Sequence, residues 1–338
     1  MSILSILLAC TQPSSDTSTE RIDYSVPGSY SIGHRKISVD ELQAELWYPA
    51  SETIEGQSVA SAFLEDTQVD IYNQLLAAAP CASTQTTAGK DAPELEGSFP
   101  LIIFSHCHEC TRFSGFTIAE QLASHGFIVA AIDHKGNSLW EQLENTGLPL
   151  STGTLTIRVE QHHALLDMAL ELENIDPERI GAFGHSFGSV TTGMIAQERP
   201  EIKAALGLAA PMENPLLSGV NVSELRKPLG FLIAVEDNSI SEFGNELMRT
   251  NFEDAEQAWK LEVPDAGHWS FSDIVGLIEN FEPGCGEDLR QTDGTVFQYI
   301  DAIEGRNIAA GFSAAFFAQT LLGDEDALNS LGWAIENH

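Results

Sequence analysis

Positive charge is scarce in this 338-residue chain: 16 lysines and arginines face 50 aspartates and glutamates, for a formal net charge of −34. A surface so acidic repels phosphate backbones, which excludes nucleic acid as an expected partner. It keeps the chain soluble, suits a salty environment and requires no specific cationic partner. Long apolar runs are also missing. Nothing reaches the roughly eighteen consecutive apolar residues of a spanning helix. Cysteines number five, and only Cys107 and Cys110 form a C-x-x-C. No second C-x-x-C and no H-x-x-x-H accompanies it, so a zinc cluster has little to build on. No internal repeat is visible. What the chain does have is a 43% hydrophobic fraction with 8% aromatics, enough for a sizeable core and unlike a disordered chain.

The N-terminus, "MSILSILLAC", is a short apolar run ending Leu7-Leu8-Ala9-Cys10, followed by the polar "TQPSSDTSTE". It resembles a bacterial lipoprotein signal, in which a small residue precedes a cysteine that is diacylated and becomes the new N-terminus. The positive leading region is missing and the run is short, which points to a truncated start. On this reading residues 1–9 are signal and residues 10–22 a Ser/Thr-rich tether. Lipidated Cys10 then anchors the protein in a membrane, periplasmic or at the cell surface, through two acyl chains. Such a compartment is oxidising.

Residues 23–338 read as one domain with excursions near 51–98 and 276–300. "ISVDELQAELWYPAS" alternates as two antiparallel strands do. Residues 51–98 have no strong period; "DTQVDIYNQLLAAAP" is a candidate helix and the remainder reads as surface. From Phe99 the texture changes. Apolar runs "FPLIIFS", "FIVAAID", "RIGAFG", "IKAALGLAA" and "LGFLIAV" alternate with helical segments such as "FTIAEQLASHGF", "VEQHHALLDMALELEN" and "NIAAGFSAAFFAQTLLG". Strands apolar on both faces, alternating with helices, predict an α/β fold. Its mostly parallel central sheet has helices on both faces, with antiparallel strands at the N-terminal edge.

One of those strands ends in Gly184-His185-Ser186-Phe187-Gly188, a G-x-S-x-G. A very tight strand-to-helix turn holds such a serine in a strained conformation, and the glycines leave room where side chains would collide. The hydroxyl then projects above the sheet at a helix N-terminus, where a backbone N–H and a partial positive charge face a developing oxyanion. The bland alternative is a structural turn serine. A serine nucleophile needs a base, and in this arrangement acid and histidine follow the serine in that order. Glu236 and Asp237 close the strand "LGFLIAV", and His268 sits in the loop "AGHWSF". His268 is the only histidine between Ser186 and the terminal His338, so the base falls on it. Asp237 is the expected acid, with Glu236 and Asp265 as alternatives.

"FPLIIFSHCHECTRFSGFTIAEQLASHGFIVAAIDHKGNS", with "GHSFGS" and "GHWSFSD", resembles the α/β-hydrolases of the platelet-activating-factor acetylhydrolase and predicted dienelactone hydrolase branch. More distantly the chain is similar to bacterial cutinase-like polyester hydrolases. The resemblance spans about residues 24–338 and is strongest over 99–190 and 230–275. It implies the α/β-hydrolase fold, Ser186 as nucleophile, His268 as base and Asp237 as acid, with no cofactor and no metal. The acetylhydrolases proper carry their acid after the preceding strand, where this chain reads "GLAAPMEN" without an aspartate. That departure favours the later position.

The resemblance also accounts for "FSHCHEC". In the family a serine, a histidine and a glycine follow the strand, and the next residue lends its N–H to the oxyanion hole. The residue after the nucleophile supplies the second N–H. The matching donors are the amides of His108 and Phe187, and His106 matches a histidine that is more often structural. Cys107 stands where the family has glycine; if that position requires φ > 0, a cysteine there is strained. A disulfide within the set Cys81, Cys107, Cys110 and Cys285 would hold the strain, with the pairing open among three arrangements. A zinc site from His106, Cys107, His108 and Cys110 is the sharper alternative, and a redox C-x-x-C lacks a thioredoxin-like setting. His162 and His163 read as structural or solvated, and His125 and His134 as scaffold. Phe113, Phe116, Trp140, Trp269 and Phe271 are candidates for a substrate pocket or for core.

The activity expected is therefore that of a serine carboxylic-ester hydrolase. It would act on small to medium esters, with lipid, aryl and polyester substrates open. The rival readings are an inactive, surface-tethered binding protein and a metal-dependent hydrolase using the Cys/His loop.

Overall fold

The computed structural model describes residues 21–217 and 219–338, so the apolar N-terminal segment and Cys10 lie outside the described residues. Ten strands form one sheet. A hairpin of β1 (Ser31–Val39) and β2 (Leu42–Ala50) is extended at its edge by the two-residue β3 (Gly89–Lys90). Then come β4 (Phe99–Ser105), β5 (Ile128–Ile132), β6 (Ile175–His185), β7 (Ile202–Leu208), β8 (Leu229–Ala234) and β9 (Ala258–Val263). A separate small hairpin pairs β10 (Glu287–Leu289) with β11 (Val296–Gln298). Last in the chain, β12 (Glu336–Asn337) runs antiparallel to β9 at the far edge.

The order across the sheet is β12-β9-β8-β7-β6-β4-β5-β2-β1-β3. Strands β4 to β9 are mutually parallel, and β2 turns antiparallel against β5. This is the α/β-hydrolase fold. Successive strand side chains point to opposite faces. Ile102 and Phe104 of β4 therefore enter one apolar cluster, while Leu101 and Ile103 enter the other.

The first cluster is covered by α1 (Val59–Phe63), α2 (Asp66–Ala78), α3 (Phe116–Ser124) and α8 (Ala302–Phe317). The second is covered by α5 (Thr152–Ala169), α6 (Phe187–Glu198) and α7 (Ser241–Asp254). Short helices α4 (Leu139–Leu143) and α9 (Ala327–Ser330) complete the set. Helix starts are marked by side-chain caps: Ser151 accepts from the N–H of Thr154, and Asp301 from those of Ile303 and Glu304. Each such cap stabilises by about 1 kcal/mol.

Residues 51–98 are not only surface, as their weak period suggested. Phe63 of α1 is fully buried and packs against Trp47, Phe113 and Phe116. One aromatic among small alanines has no periodicity to detect, yet it fills a core position. Phe113, Phe116, Trp269 and Phe271 are buried in the first cluster as core, and of these Phe116 also lines a cavity of about 300 Å³ beside Glu120 and Gln121. Trp140 lines a cavity of about 850 Å³ beside Asp40, Glu41 and Asp133.

Candidate active site

Strand β6 delivers the serine. Ser186 is held at φ 57° and ψ −124°, a region costly for an L residue, and its N–H donates to Leu208 O at 2.9 Å. The flanking glycines are sterically required: a Cβ on Gly184 would run into Gly188 O, and one on Gly188 into Ser105 O. Ser186 occupies the N-cap position of α6, but its hydroxyl makes no capping bond. It meets His268 Nε2 at 2.7 Å instead.

His268 and Asp237 arrive from the same edge of the sheet. Asp237 lies three residues past β8, fully buried, and its Oδ2 accepts from His268 Nδ1 at 2.7 Å. Its Oδ1 accepts the N–H groups of Ser239 and Ile240, each at 3.0 Å, which fixes the carboxylate plane. The loop after β9 turns at Asp265 (φ 58°) and presses Gly267 against Gly284 and Tyr299, where a Cβ would clash. His185 donates from Nε2 to His268 O at 2.7 Å and so pins that loop from beneath. Burial, reinforced by His268, pushes the His185 pKa down to about 3, so the ring stays neutral. Glu236 and Asp265 do not reach the histidine. Both pair with Arg290, each at 2.5 Å.

The loop "SHCHEC" lies across from the serine. Cys107 and Cys110 form one disulfide, and Cys81 and Cys285 form another. The conditional strain at Cys107 does not arise. The left-handed residue is Glu109 (φ 58°), because Cys110 N–H donates to Cys107 O and closes a turn over residues 107–110. Positive φ at the third position is what a type II turn demands. The disulfide also consumes both sulfurs, so the four-residue zinc set considered for this loop lacks its thiolates. Among the described residues no cluster of three or more His, Cys, Asp or Glu side chains is placed to hold a metal.

The amides of His108 and Phe187 have no acceptor within the protein among the described residues. The His108 and Phe187 rings meet edge-on at 5.9 Å between centres. Asn137 Nδ2 donates to His108 Nδ1 at 2.7 Å, and burial, then the nearby Arg158 charge, push the His108 pKa down to about 4. His106 is buried, with Nδ1 on Cys107 O at 2.7 Å and Nε2 accepting from His134 N–H at 3.2 Å. His134 in turn meets His162 at 3.1 Å, and His163 faces Glu198 at 3.4 Å.

Sequence reasoning missed Arg158, Asn137 and Arg290. Arg158 had left a signal: it shares a helix face with Leu155, His162 and Leu165, where an unpaired charge is out of place. Asn137 and Arg290 stand in loops with no such mark.

Comparisons with known proteins agree with the fold and point to esterases. Residues 34–144 match the family described as platelet-activating factor acetylhydrolase, isoform II, and residues 110–273 match the PET hydrolase-like family. A platelet-activating factor acetylhydrolase of Canis lupus familiaris is 25% identical over 260 residues, covering 62% of this chain and 55% of the relative. Cutinase est1 of Thermobifida alba is 31% identical over 117 residues, 34% of this chain and 36% of its own length. The chain thus spans only about a third to a half of these relatives. Among solved structures, a ferulic acid esterase from Streptomyces cinnamoneus superposes with a TM-score of 0.67 at 19% identity, covering 89% of this chain and 93% of the esterase.

Proposed function

From an α/β-hydrolase fold with acetylhydrolase and cutinase relatives, we propose that this protein is a serine carboxylic-ester hydrolase. The observation that carries the proposal is the unbroken relay Ser186–His268–Asp237, with 2.7 Å at both contacts. His268 Nε2 takes the Ser186 proton as Oγ attacks the ester carbonyl carbon. The carbonyl π pair moves onto oxygen, where the His108 and Phe187 N–H groups receive it. Collapse expels the alkoxide, which leaves as the alcohol with the proton from His268, and the acyl-enzyme remains. Water then repeats the cycle, giving its proton to His268 and releasing the acid. Asp237 holds the Nδ1–H tautomer and balances the imidazolium.

Small to medium esters fit this machinery. Among the relatives are a platelet-activating factor acetylhydrolase, a PET hydrolase-like family and a ferulic acid esterase, which keeps lipid, polyester and aromatic esters among the candidates. The rival reading of an inactive binding protein drew only on Cys107, and Cys107 holds ordinary backbone geometry. The two disulfides suit an oxidising compartment, which supports the proposal that Cys10 is lipidated and tethers the protein outside the cytoplasm.

The test is to incubate the protein with a fluorophosphonate in excess EDTA and record its intact mass, with Ser186→Ala beside it. One adduct on the wild type, absent from the variant, is expected. No adduct on folded wild type sinks the mechanism.

A further inference from the structure

Among the described residues Arg158 is a fully buried cation without an anion. The other arginines of the interior have carboxylate partners: Arg112 pairs with Glu45 and Asp133, and Arg306 with Asp273. Arg158 on α5 is 0% exposed, and among the described residues no carboxylate lies within ion-pair distance of it. All its donors go to neutral oxygens. Nε donates to Thr191 Oγ1 at 3.1 Å, and Nη1 to Asn137 Oδ1 at 2.5 Å and Cys107 O at 3.3 Å. Nη2 donates to Ser105 Oγ at 3.1 Å and to His106 O. The guanidinium also lies 4.8 Å from the centre of the Phe187 ring.

Removing a charge from water without a counter-ion is strongly unfavourable. A fold keeps such a group readily only where something else uses the charge. Burial pulls the Arg158 pKa down to about 9, which still leaves it charged at neutral pH.

The contacts converge on the two amides assigned to the oxyanion hole. Cys107 C=O and His108 N–H belong to one planar trans peptide and point in opposite directions. Gripping the carbonyl therefore aims the N–H. Cys107 O is gripped three times, by the Cys110 N–H of its own turn, by Arg158 and by His106 Nδ1–H, the last tautomer being set by the His134 N–H that occupies Nε2. Phe187, the other donor residue, carries its ring against the same guanidinium. Asn137 joins the guanidinium to the His108 ring.

We infer that Arg158 is a positioning residue of the oxyanion hole, orienting the His108 and Phe187 amides and placing a fixed positive charge behind them. The inference rests on the serine-hydrolase reading above. Its negative charge is supplied by the reaction: the tetrahedral intermediate is the anion that the resting site lacks.

The test uses Arg158→Gln, Arg158→Lys and Asn137→Asp in the full chain. It measures kcat and KM on 4-nitrophenyl acetate, inhibition by an aryl trifluoromethyl ketone, and thermal midpoint. The ketone adds Ser186 to its carbonyl and leaves a stable oxyanion, so it reports the hole directly. For Arg158→Gln, kcat falls about a hundredfold with KM within about threefold, and the inhibition constant rises by a like factor. Arg158→Lys recovers about tenfold of that loss. Asn137→Asp sets a carboxylate against Arg158; it raises the thermal midpoint yet lowers kcat, and the kcat loss vanishes in the Arg158→Gln background. An arginine with only a structural role gives the opposite pattern for Asn137→Asp, a gain in stability with kcat kept, and that result overturns the inference. So does unchanged kcat or ketone affinity in a folded Arg158→Gln. If Arg158→Gln does not fold, kcat and ketone affinity of Arg158→Lys decide, since Asn137→Asp also removes the donor to His108 Nδ1, and unchanged values in Arg158→Lys overturn the inference. Wild type that fails to take up fluorophosphonate sinks the hydrolase reading itself, whereas labelled wild type with indifferent variants sinks only the role of Arg158.

Discussion

At the scale of single residues the site works by denying alternatives. Ser186 sits at a helix N-cap, where a serine ordinarily bonds the backbone ahead of it, yet strain of about 1–3 kcal/mol turns its hydroxyl to His268 instead. Asp237 and Glu236 are adjacent acids with different assignments: one faces His268, the other Arg290. Asp237→Asn should therefore lower kcat by about a thousandfold to ten-thousandfold, whereas Glu236→Gln should change it less than about fivefold. Steady-state hydrolysis of an aryl ester checks this, and equal losses in the two variants would refute the assignment. His185 gives a prediction in pH. Its pKa is about 3 in the fold against an ordinary 6.5, so below about pH 6.5 the unfolded chain binds a proton that the folded one does not. Acid thus favours unfolding through this group. His185→Gln keeps a donor for His268 O and removes the titration. Relative to wild type, that variant should gain about 2 kcal/mol of stability between about pH 7.5 and about pH 5. Urea melts of the two proteins measure the difference, in which other titrating groups cancel.

At the scale of elements, two disulfides serve different parts of the molecule. Cys81–Cys285 joins positions 204 residues apart and ties the segment after α2 to the loop before β10. Closing so long a loop restricts the unfolded chain strongly, and Cys81→Ser with Cys285→Ser should cost about 2–5 kcal/mol. The same loop supports the His268 turn, since Trp269 N–H donates to Pro283 O at 2.8 Å. Arg306 donates to Cys81 O from α8, so an independent anchor remains. Cys107–Cys110 spans three residues, and its removal should cost only about 1–2 kcal/mol by the same relation. Its turn carries the His108 amide, however, so Cys107→Ser with Cys110→Ser should lower kcat about tenfold or more. The prediction is a crossed pattern: one pair felt chiefly in the urea midpoint, the other chiefly in kcat. Two variants that differ only in degree along the same axis would contradict it.

At the scale of the whole molecule, what the sequence made legible follows from which interactions are local. Apolar runs such as "FPLIIFS" and "LGFLIAV" announce buried strands because both of their faces meet a core, and both proved to belong to one parallel block, as β4 and β8 with β6 and β7 between them. Ser186, Asp237 and His268 were visible because each ends a strand or sits in its loop, at a place that the topology brings together. Disulfide pairing, the core role of Phe63 and the neutral partners of Arg158 were not legible, although the place of Arg158 on the apolar face of its helix was. Each depends on where a distant segment lands rather than on its own neighbourhood. Charge is the property that needs no structure to read. With 16 basic residues against 50 acidic, most carboxylates have no cation to pair with, and the net −34 pushes the compact state apart. Local ion pairs such as that of Arg249 with Glu262 and Glu242 would weaken in salt, but they are few beside the unpaired acids. At an ionic strength of about 1 M the screening length shrinks to about 3 Å, which relieves the repulsion more than it loosens the pairs. The thermal midpoint should accordingly rise by several degrees as NaCl goes from about 20 mM to about 1 M. A falling midpoint would mean that the ion pairs, and not the excess of acid, govern the stability of this surface.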